Sequence, residues 1–157
     1  IVTAGHCYFG ESPTEWEVGL GMSLASSGGT LHTGSQWVLH PQYSGATLDQ
    51  EVAIVRLTVP ATFSNTIQPA SIPGTTYSLP DNTLLTSVGW GPLSIGGGFP
   101  QHLHHVDLNR ILEELCAERD DSLKTQHGDQ SWPDIIDNML CAGIWDVGGK
   151  DSCQGDS

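Results

Sequence analysis

Apolar residues in this sequence come in blocks of only three to six, and stretches rich in glycine and proline lie between the blocks. Blocks that short suit β-strands, because a globular helix usually runs for about 8 to 20 residues. The 19 glycines and 9 prolines supply the chain reversals that many short strands require. The clearest blocks are Trp37–His40, Val52–Leu57, Leu84–Gly89, Val106–Leu108 and Met139–Cys141. The pattern predicts an all-β fold.

The stretch from residue 66 to residue 82 breaks this strand pattern. It contains Pro69, Pro73 and Pro80, and proline cannot donate the backbone hydrogen bond that a central strand needs. We therefore expect an extended crossing here, with one half of the chain on either side of it.

A single helix is indicated, at Arg110–Cys116, where apolar side chains recur four residues apart and form one face. The stretch from residue 118 to residue 133 that follows is polar and lacks a strand pattern. It predicts a long exposed loop.

The charge balance narrows the range of partners. Five Lys+Arg against 18 Asp+Glu give a formal net charge of −13 with histidine neutral. Such a surface repels the phosphate backbone of nucleic acids and anionic membranes, so we expect neither as a partner. No stretch approaches the roughly 18 to 20 apolar residues of a membrane span.

The cysteines favour an oxidising compartment over a metal site. They are Cys7, Cys116, Cys141 and Cys153, and no two of them form a CxxC couple, which makes zinc or thioredoxin chemistry a poor fit. Three pairings remain open for four cysteines. The sequence therefore predicts a secreted, extracellular protein with disulfide bonds.

Two motifs near opposite ends of the sequence carry groups that can do chemistry together. Gly155 precedes Asp156 and Ser157, an order that suits a tight turn presenting a hydroxyl and backbone amides to one spot. Taken alone, such a segment is more often an ordinary surface tail. Near the other end, however, His6 stands beside Cys7, and histidine is the base that can take a serine proton near neutral pH. His6 and Ser157 are therefore a candidate base and nucleophile.

Four motifs occur in the order and at roughly the spacing of a known family. They are Thr3–Cys7, Gly89–Gly91, Met139–Gly143 and Gly155–Ser157. On these motifs essentially the whole chain resembles the trypsin-like serine proteases of the chymotrypsin family. The resemblance implies a secreted endopeptidase that needs no cofactor, acts on polypeptides through an acyl-enzyme intermediate, and is recognised by protein protease inhibitors.

The resemblance also implies a domain organisation. We expect two antiparallel β-barrels of the trypsin-like type, both incomplete, because the chain looks like an internal fragment that runs from the histidine motif to the serine motif. The first barrel would cover residues 1–66, the crossing residues 67–82 and the second barrel residues 83–157.

By the same resemblance, specific residues receive roles. His6 corresponds to the general base and Ser157 to the nucleophile, while the amides of Gly155 and Ser157 correspond to the oxyanion hole. Asp151 matches the acid at the base of the primary specificity pocket, and Ser152 would line the same pocket. A carboxylate there pairs with a guanidinium or ammonium group, which implies cleavage after Arg or Lys.

The third catalytic position departs from the family pattern. The family has an aspartate immediately before the strand that reads here Val52–Leu57, whereas this sequence has Glu51. The extra methylene displaces the carboxylate by about 1.5 Å unless the backbone yields, and such misplacement can cost about a hundredfold in rate. Asp49 lies about 6 to 7 Å further along an extended chain and is a poor substitute. We expect Glu51 to orient His6; the alternative is a catalytically impaired homologue that acts by binding.

The resemblance further implies a disulfide between Cys116 and Cys141. If the parent enzyme cuts after basic residues, we expect self-cleavage at Arg119 and Lys124, in the predicted 118–133 loop. No metal site is expected. Calcium needs several charged oxygen ligands, and the sequence has no carboxylate between Glu17 and Asp49. A cluster of three histidines is predicted to lie in an exposed loop; its members are His102, His104 and His105.

Overall fold

The structure is a computed structural model that describes residues 1–8, 10–152 and 156. Over these residues the chain forms seven β-strands and one α-helix. In chain order they are β1 (Val2–Thr3), β2 (Glu17–Leu20), β3 (Thr30–Leu39), β4 (Ala53–Leu57), β5 (Leu84–Gly89), β6 (His104–Ile111), α1 (Glu113–His127) and β7 (Cys141–Gly143).

The strands form two antiparallel sheets, one on each side of the predicted crossing. The first sheet has the order β1-β4-β3-β2 and the second the order β5-β6-β7. Residues 58–83, which connect the two sheets, contain neither strand nor helix. The prediction of an all-β chain with two antiparallel strand units is therefore confirmed.

The core of the first sheet lies beside β4, where buried and exposed side chains alternate as expected for a strand. Ala53 is 1% and Val55 is 3% exposed. Next to them the buried ring of Tyr8 packs 4.6 Å from the ring of Trp37 and 5.3 Å from that of Trp16, measured between centroids. Aromatic contacts of this kind stabilise by about 0.5 to 1.5 kcal/mol beyond the area they bury, so the cluster anchors the turn that ends at Tyr8.

The predicted helix at Arg110–Cys116 and the predicted loop at 118–133 are both wrong in their bounds. Arg110 and Ile111 complete strand β6, and the helix runs from Glu113 to His127, through most of the stretch that we expected to be a loop. This stretch is rich in strong helix formers such as glutamate, alanine, leucine and lysine. It lacks a continuous apolar stripe, and that is why periodicity alone did not reveal it.

Contacts at both ends hold α1 in place. Its first turn carries Cys116, which forms a disulfide with Cys141 of β7, as the family resemblance implies. At its other end Gly128 adopts the left-handed conformation (φ 67°) that favours glycine, and its backbone N–H caps the helix. Two acidic residues in the first turn and two basic residues in the last suit the helix dipole.

A buried lysine ties the helix to the segment that follows. Lys124 is only 2% exposed, and its Nζ lies 2.7 Å from a carboxylate oxygen of Asp120 and 2.7 Å from one of Asp134. It also donates a hydrogen bond of 3.1 Å to the carbonyl of Pro133. Arg119 is held as well, because it pairs with Asp146 at 2.7 Å. The helix therefore contradicts the expectation that these two basic residues lie in an accessible loop.

Replacing Lys124 by methionine should lower the melting temperature by several degrees, because Asp120 and Asp134 lose their shared counter-charge. The pKa of Lys124 is raised, mainly by its hydrogen bonds to these two aspartates and against the effect of burial. The stabilisation is therefore fully present below the ordinary lysine pKa of 10.5 and is lost as pH rises above it. Melting temperatures of the wild type and the variant, measured from about pH 7 to about pH 11 in steps of about one pH unit, check this expectation.

Lys150→Met is the matched control, because Lys150 lies in an exposed, irregular segment. We expect it to leave the melting temperature unchanged. If Lys124→Met and Lys150→Met have the same melting temperature at neutral pH, the buried ion pairs do not stabilise the fold.

Hydrogen bonds between described residues join the two halves of the chain in two regions. At the first, the Ala25 amide donates to the Gln101 carbonyl and the Leu103 amide donates to the Ser23 carbonyl, both at 2.8 Å. The second is a side-chain contact described below. Helix α1, within the part of the chain that the structure describes, is too short and too polar to cross a membrane.

Candidate active site

Strand pairing brings residue 6 next to residue 51. Strand β1 pairs with β4 so that Thr3 lies opposite Ala53. The chain then leaves β1 in a short 3₁₀ turn, His6–Tyr8, in which the Tyr8 amide donates to the Gly5 carbonyl at 3.2 Å. Glu51 precedes Ala53 by two residues, so it enters β4 at the end of the sheet where His6 leaves β1.

One carboxylate oxygen of Glu51 accepts two hydrogen bonds from His6. Oε1 accepts the backbone N–H of His6 at 2.7 Å and lies 2.9 Å from its ring Nδ1. A carboxylate can only accept, so it favours the tautomer in which Nδ1 carries the proton and Nε2 is free to act as a base. The imidazole is 51% exposed, and the thiol sulfur of Cys7 lies 3.6 Å from Nε2.

The backbone before β4 turns tightly around Glu51. Leu48 and Gln50 both adopt positive φ angles, 55° and 54°, which cost roughly 1 to 2 kcal/mol each for residues with a Cβ. The Val52 amide then donates to the Gln50 carbonyl at 2.7 Å, so a tight turn directly encloses Glu51. The distances from Glu51 to His6 show no displacement of the carboxylate by the extra methylene of glutamate.

Asp49 is engaged elsewhere. Its Oδ1 accepts a hydrogen bond of 2.9 Å from the side-chain amide of Asn138, which joins the loop before β4 to the segment before β7. This is the second contact between the halves of the chain. Asp49 therefore ties the two halves together, and Glu51 is the residue beside His6.

The Gly89–Gly91 motif receives the side chain of Asp156, which precedes Ser157 in the sequence. The Gly91 amide donates to Asp156 Oδ1 at 2.6 Å. A Cβ at Gly91 would lie 2.5 Å from the carboxylate carbon, and one at Gly89 would also collide with this carboxylate. A side chain at either position would displace this carboxylate, which gives the motif a role that the sequence alone did not reveal.

Asp151 and Ser152 border different cavities. Asp151 lines a cavity of about 250 Å³ together with Gly89, Gly91 and Asp156, whereas Ser152 lines one of about 430 Å³ together with Leu85 and Leu108. Asp151 is exposed, and its carboxylate accepts a 2.8 Å hydrogen bond from the Ser152 amide.

Three of the residues singled out from the sequence lie outside the described part of the chain. They are Gly155 and Ser157, expected to form the oxyanion hole and the nucleophile, and Cys153. The structure thus brings His6 and Glu51 together and places Asp151 at a cavity shared with Asp156.

The histidine cluster is also placed differently from the prediction. His104 and His105 begin strand β6 instead of lying in a loop, although both are exposed. Over residues 1–8, 10–152 and 156 there is no group of three or more histidine, cysteine, aspartate or glutamate side chains that could hold a metal ion.

Sequence reasoning missed one residue beside His6 and Glu51, Tyr43. Its ring packs on Gly5, and its pKa is raised by burial and by the nearby charge of Glu51. The only signal in the sequence is an aromatic residue inside an otherwise polar stretch between two predicted strands, which also suits a surface loop.

Comparison with known proteins places the whole chain in one group. The family model described as Trypsin matches residues 1–157. The chain is 38% identical over 157 residues to "Trypsin, alkaline A" of Manduca sexta, a match that covers 100% of this chain and 58% of that protein. It is 38% identical over 161 residues to "Achelase-1" of Lonomia achelous, covering 100% of this chain and 72% of that protein.

A solved structure agrees on the fold. The crystal structure of the scabies mite inactivated protease paralogue S-D1 superposes with a TM-score of 0.79 at 20% sequence identity, covering 90% of this chain and 58% of that one. At this identity the likeness speaks for the fold alone. This chain spans 58% of the length of the Manduca sexta relative.

Proposed function

Since the chain belongs to the trypsin family, we propose that it carries the catalytic centre of a serine endopeptidase that cuts polypeptides after Arg or Lys. The observation that carries the proposal is the 2.9 Å contact between His6 Nδ1 and Glu51 Oε1. A histidine oriented in this way is a base that faces its substrate side through Nε2.

The proposed reaction uses three side chains and two amides. His6 Nε2 takes the proton of the Ser157 hydroxyl, whose oxygen attacks the scissile carbonyl, and His6 later passes that proton to the leaving amine. Glu51 holds the imidazole and stabilises the imidazolium that forms. The amides of Gly155 and Ser157 receive the negative oxygen of the tetrahedral intermediate. Water then hydrolyses the acyl-enzyme with the same residues as base and acid.

Specificity and location follow in the same proposal. Asp151 supplies a carboxylate for the basic side chain of the substrate, and protein protease inhibitors that present such a side chain would occupy the same site. Secretion agrees with the disulfide between Cys116 and Cys141, because such bonds persist in oxidising compartments.

The test uses the full-length protein, activated and assayed with an Arg-containing and a Phe-containing chromogenic peptide. We expect hydrolysis of the Arg peptide and covalent labelling of Ser157 by an organophosphate, with a Ser157→Ala variant as the unlabelled control. The second candidate is an impaired homologue that acts by binding, which the unusual Glu51 favours. If neither labelling nor hydrolysis is seen, the endopeptidase proposal is wrong and the binding homologue is the remaining candidate.

Replacing Asp151 by serine should lower kcat/KM on the Arg peptide by about a hundredfold, the effect of losing one charge-assisted hydrogen-bonded pair. The rate on the Phe peptide should change little, because no cation is involved. Asp121→Ser, on the exposed face of α1, is the matched control and should leave both rates unchanged. If kcat/KM falls equally on both peptides, Asp151 does not recognise the basic side chain of the substrate.

A further inference from the structure

Asp49 lies in the loop between β3 and β4, shortly before Glu51. Its neighbours Leu48 and Gln50 both adopt positive φ angles, which residues with a Cβ ordinarily avoid. Backbone of this kind persists where the surrounding structure holds it. The contacts that hold Asp49 therefore bear on the position of Glu51.

Main-chain hydrogen bonds within the first half of the chain hold part of this loop. The His40 amide donates to the Val52 carbonyl at 3.0 Å and closes the loop where it joins the two strands. The Ser44 amide donates to the Asp49 carbonyl at 3.1 Å. Both bonds end on backbone oxygens, so neither of them holds the Asp49 side chain.

The Asp49 side chain is held from the second half of the chain. Its Oδ1 accepts a hydrogen bond of 2.9 Å from the side-chain amide of Asn138. Asn138 lies in a turn that the Met139 amide closes by donating to the Ile136 carbonyl at 2.8 Å. Strand β7 follows and begins at Cys141, which the disulfide joins to α1. The bond therefore connects the loop before Glu51 to a part of the second half that a turn and a covalent link stabilise.

The carboxylate of Glu51 depends on this loop for its place beside His6. Gln50 alone separates Asp49 from Glu51, and its φ is positive. If Asp49 is released, rotation at Gln50 toward a common backbone conformation displaces Glu51. The 2.9 Å contact between Glu51 Oε1 and His6 Nδ1 then lengthens.

We propose that Asp49 and Asn138 are positioning residues, whose hydrogen bond holds the loop that presents Glu51 to His6. The second half of the chain thereby takes part in placing the acid of the first half. The role rests on the proposed function, because a displaced carboxylate matters most where the imidazole moves a proton. Neither residue touches the substrate or the reacting atoms in this scheme, and both act through Glu51.

Exchanging the two side chains tests the bond itself. In Asn138→Asp two carboxylates face each other, and since neither can donate they repel. We expect kcat of the full-length protein on an Arg peptide to fall about fivefold with KM unchanged, because Glu51 does not hold the substrate. In the double variant Asp49→Asn, Asn138→Asp the amide and the carboxylate have changed places, so the bond forms in the opposite direction. Its kcat should return to within about twofold of the wild type.

Two further variants complete the comparison. Asp49→Asn alone keeps an oxygen that accepts the Asn138 amide, so its kcat should fall less than about twofold. Asn65→Asp is the matched control, because Asn65 is exposed in the segment between the two sheets and the substitution adds the same negative charge. It should keep the wild-type kcat and KM. Asn138 is itself exposed, so we expect all of these variants to fold.

Three results would overturn the positioning role. The first is a wild-type kcat in Asn138→Asp. The second is a double variant as slow as Asn138→Asp, since restoring the bond would then restore nothing. The third is a rise in KM with kcat unchanged, which would place the bond in substrate binding.

A readout that needs no turnover separates this proposal from the proposed function. The proton on His6 Nδ1, followed by NMR in the full-length protein, reports the hydrogen bond to Glu51. Its resonance should shift in Asn138→Asp, return in the double variant and stay unchanged in Asn65→Asp. If the resonance follows this pattern but the wild type hydrolyses no peptide, the positioning role stands and the endopeptidase proposal is wrong. If the wild type hydrolyses the Arg peptide and the resonance is the same in all variants, the endopeptidase stands and the positioning role is wrong.

Discussion

Replacing His6 by alanine in the full-length protein should lower kcat on an Arg peptide by about 10⁶-fold, because the members of a serine triad act as a unit and the serine is inert without its base. KM should change little, since His6 removes a proton and does not hold the substrate. Steady-state kinetics with a sensitive chromogenic peptide measures both values. The residual rate would come from the oxyanion hole and from substrate binding alone.

His127→Ala is the matched control, because His127 is exposed at the last turn of α1. We expect it to keep wild-type rates. Activity of His6→Ala within tenfold of the wild type would show that another group takes the proton. It would contradict the proposal that His6 and Glu51 act as one catalytic unit. Loss of activity in both variants would point to a folding defect, which thermal unfolding would reveal.

Strands whose side chains alternate were the most predictable part of the fold. The block Leu84–Gly89 coincides with β5, and Val52–Leu57 differs from β4 by one residue. The two-residue strand β1 carries no such pattern, because it exists only through pairing with a strand about fifty residues away in the sequence. A local pattern predicts a strand when the strand forms because its own residues are buried. It does not predict a strand that forms because of a distant pairing partner.

Helix α1 shows the opposite failure. Its residues favour a helix individually, yet what fixes it is the disulfide at Cys116 and the ion pairs of Lys124. Neither contact leaves a periodic apolar signature. A sequence rich in charged helix formers is therefore easily taken for a polar loop when only periodicity is counted.

The candidate site was predictable in its residue types and not in its geometry. A general argument from serine and histidine chemistry selects His6, but only the β1–β4 register brings Glu51 to it. The loop that leads to Glu51 also has positive φ angles at Leu48 and Gln50, residues that ordinarily avoid them. No rule applied to the sequence would have placed strain there.

Replacing Glu51 by glutamine should lower kcat by about 10³-fold, less than the roughly 10⁴-fold known when an amide replaces the acid of such a triad and reverses the histidine tautomer. The reason is the shared oxygen. Oε1 accepts both the backbone N–H and Nδ1 of His6. A backbone N–H can only donate, so it selects the oxygen of the glutamine amide at that place. Nδ1 then keeps its proton, and the variant loses the charge that stabilises the imidazolium while keeping the tautomer.

Steady-state kinetics of Glu51→Gln beside Glu51→Ala distinguishes charge from placement. The alanine variant loses both and should fall by about 10⁴-fold, whereas Glu17→Gln, the same change on the exposed side of β2, should keep wild-type rates. If Glu51→Gln is as slow as Glu51→Ala, the amide has turned its NH₂ toward His6, and the backbone N–H does not control its orientation. If it keeps more than a tenth of the wild-type rate, the charge of Glu51 contributes little, and orientation of the ring is its whole role.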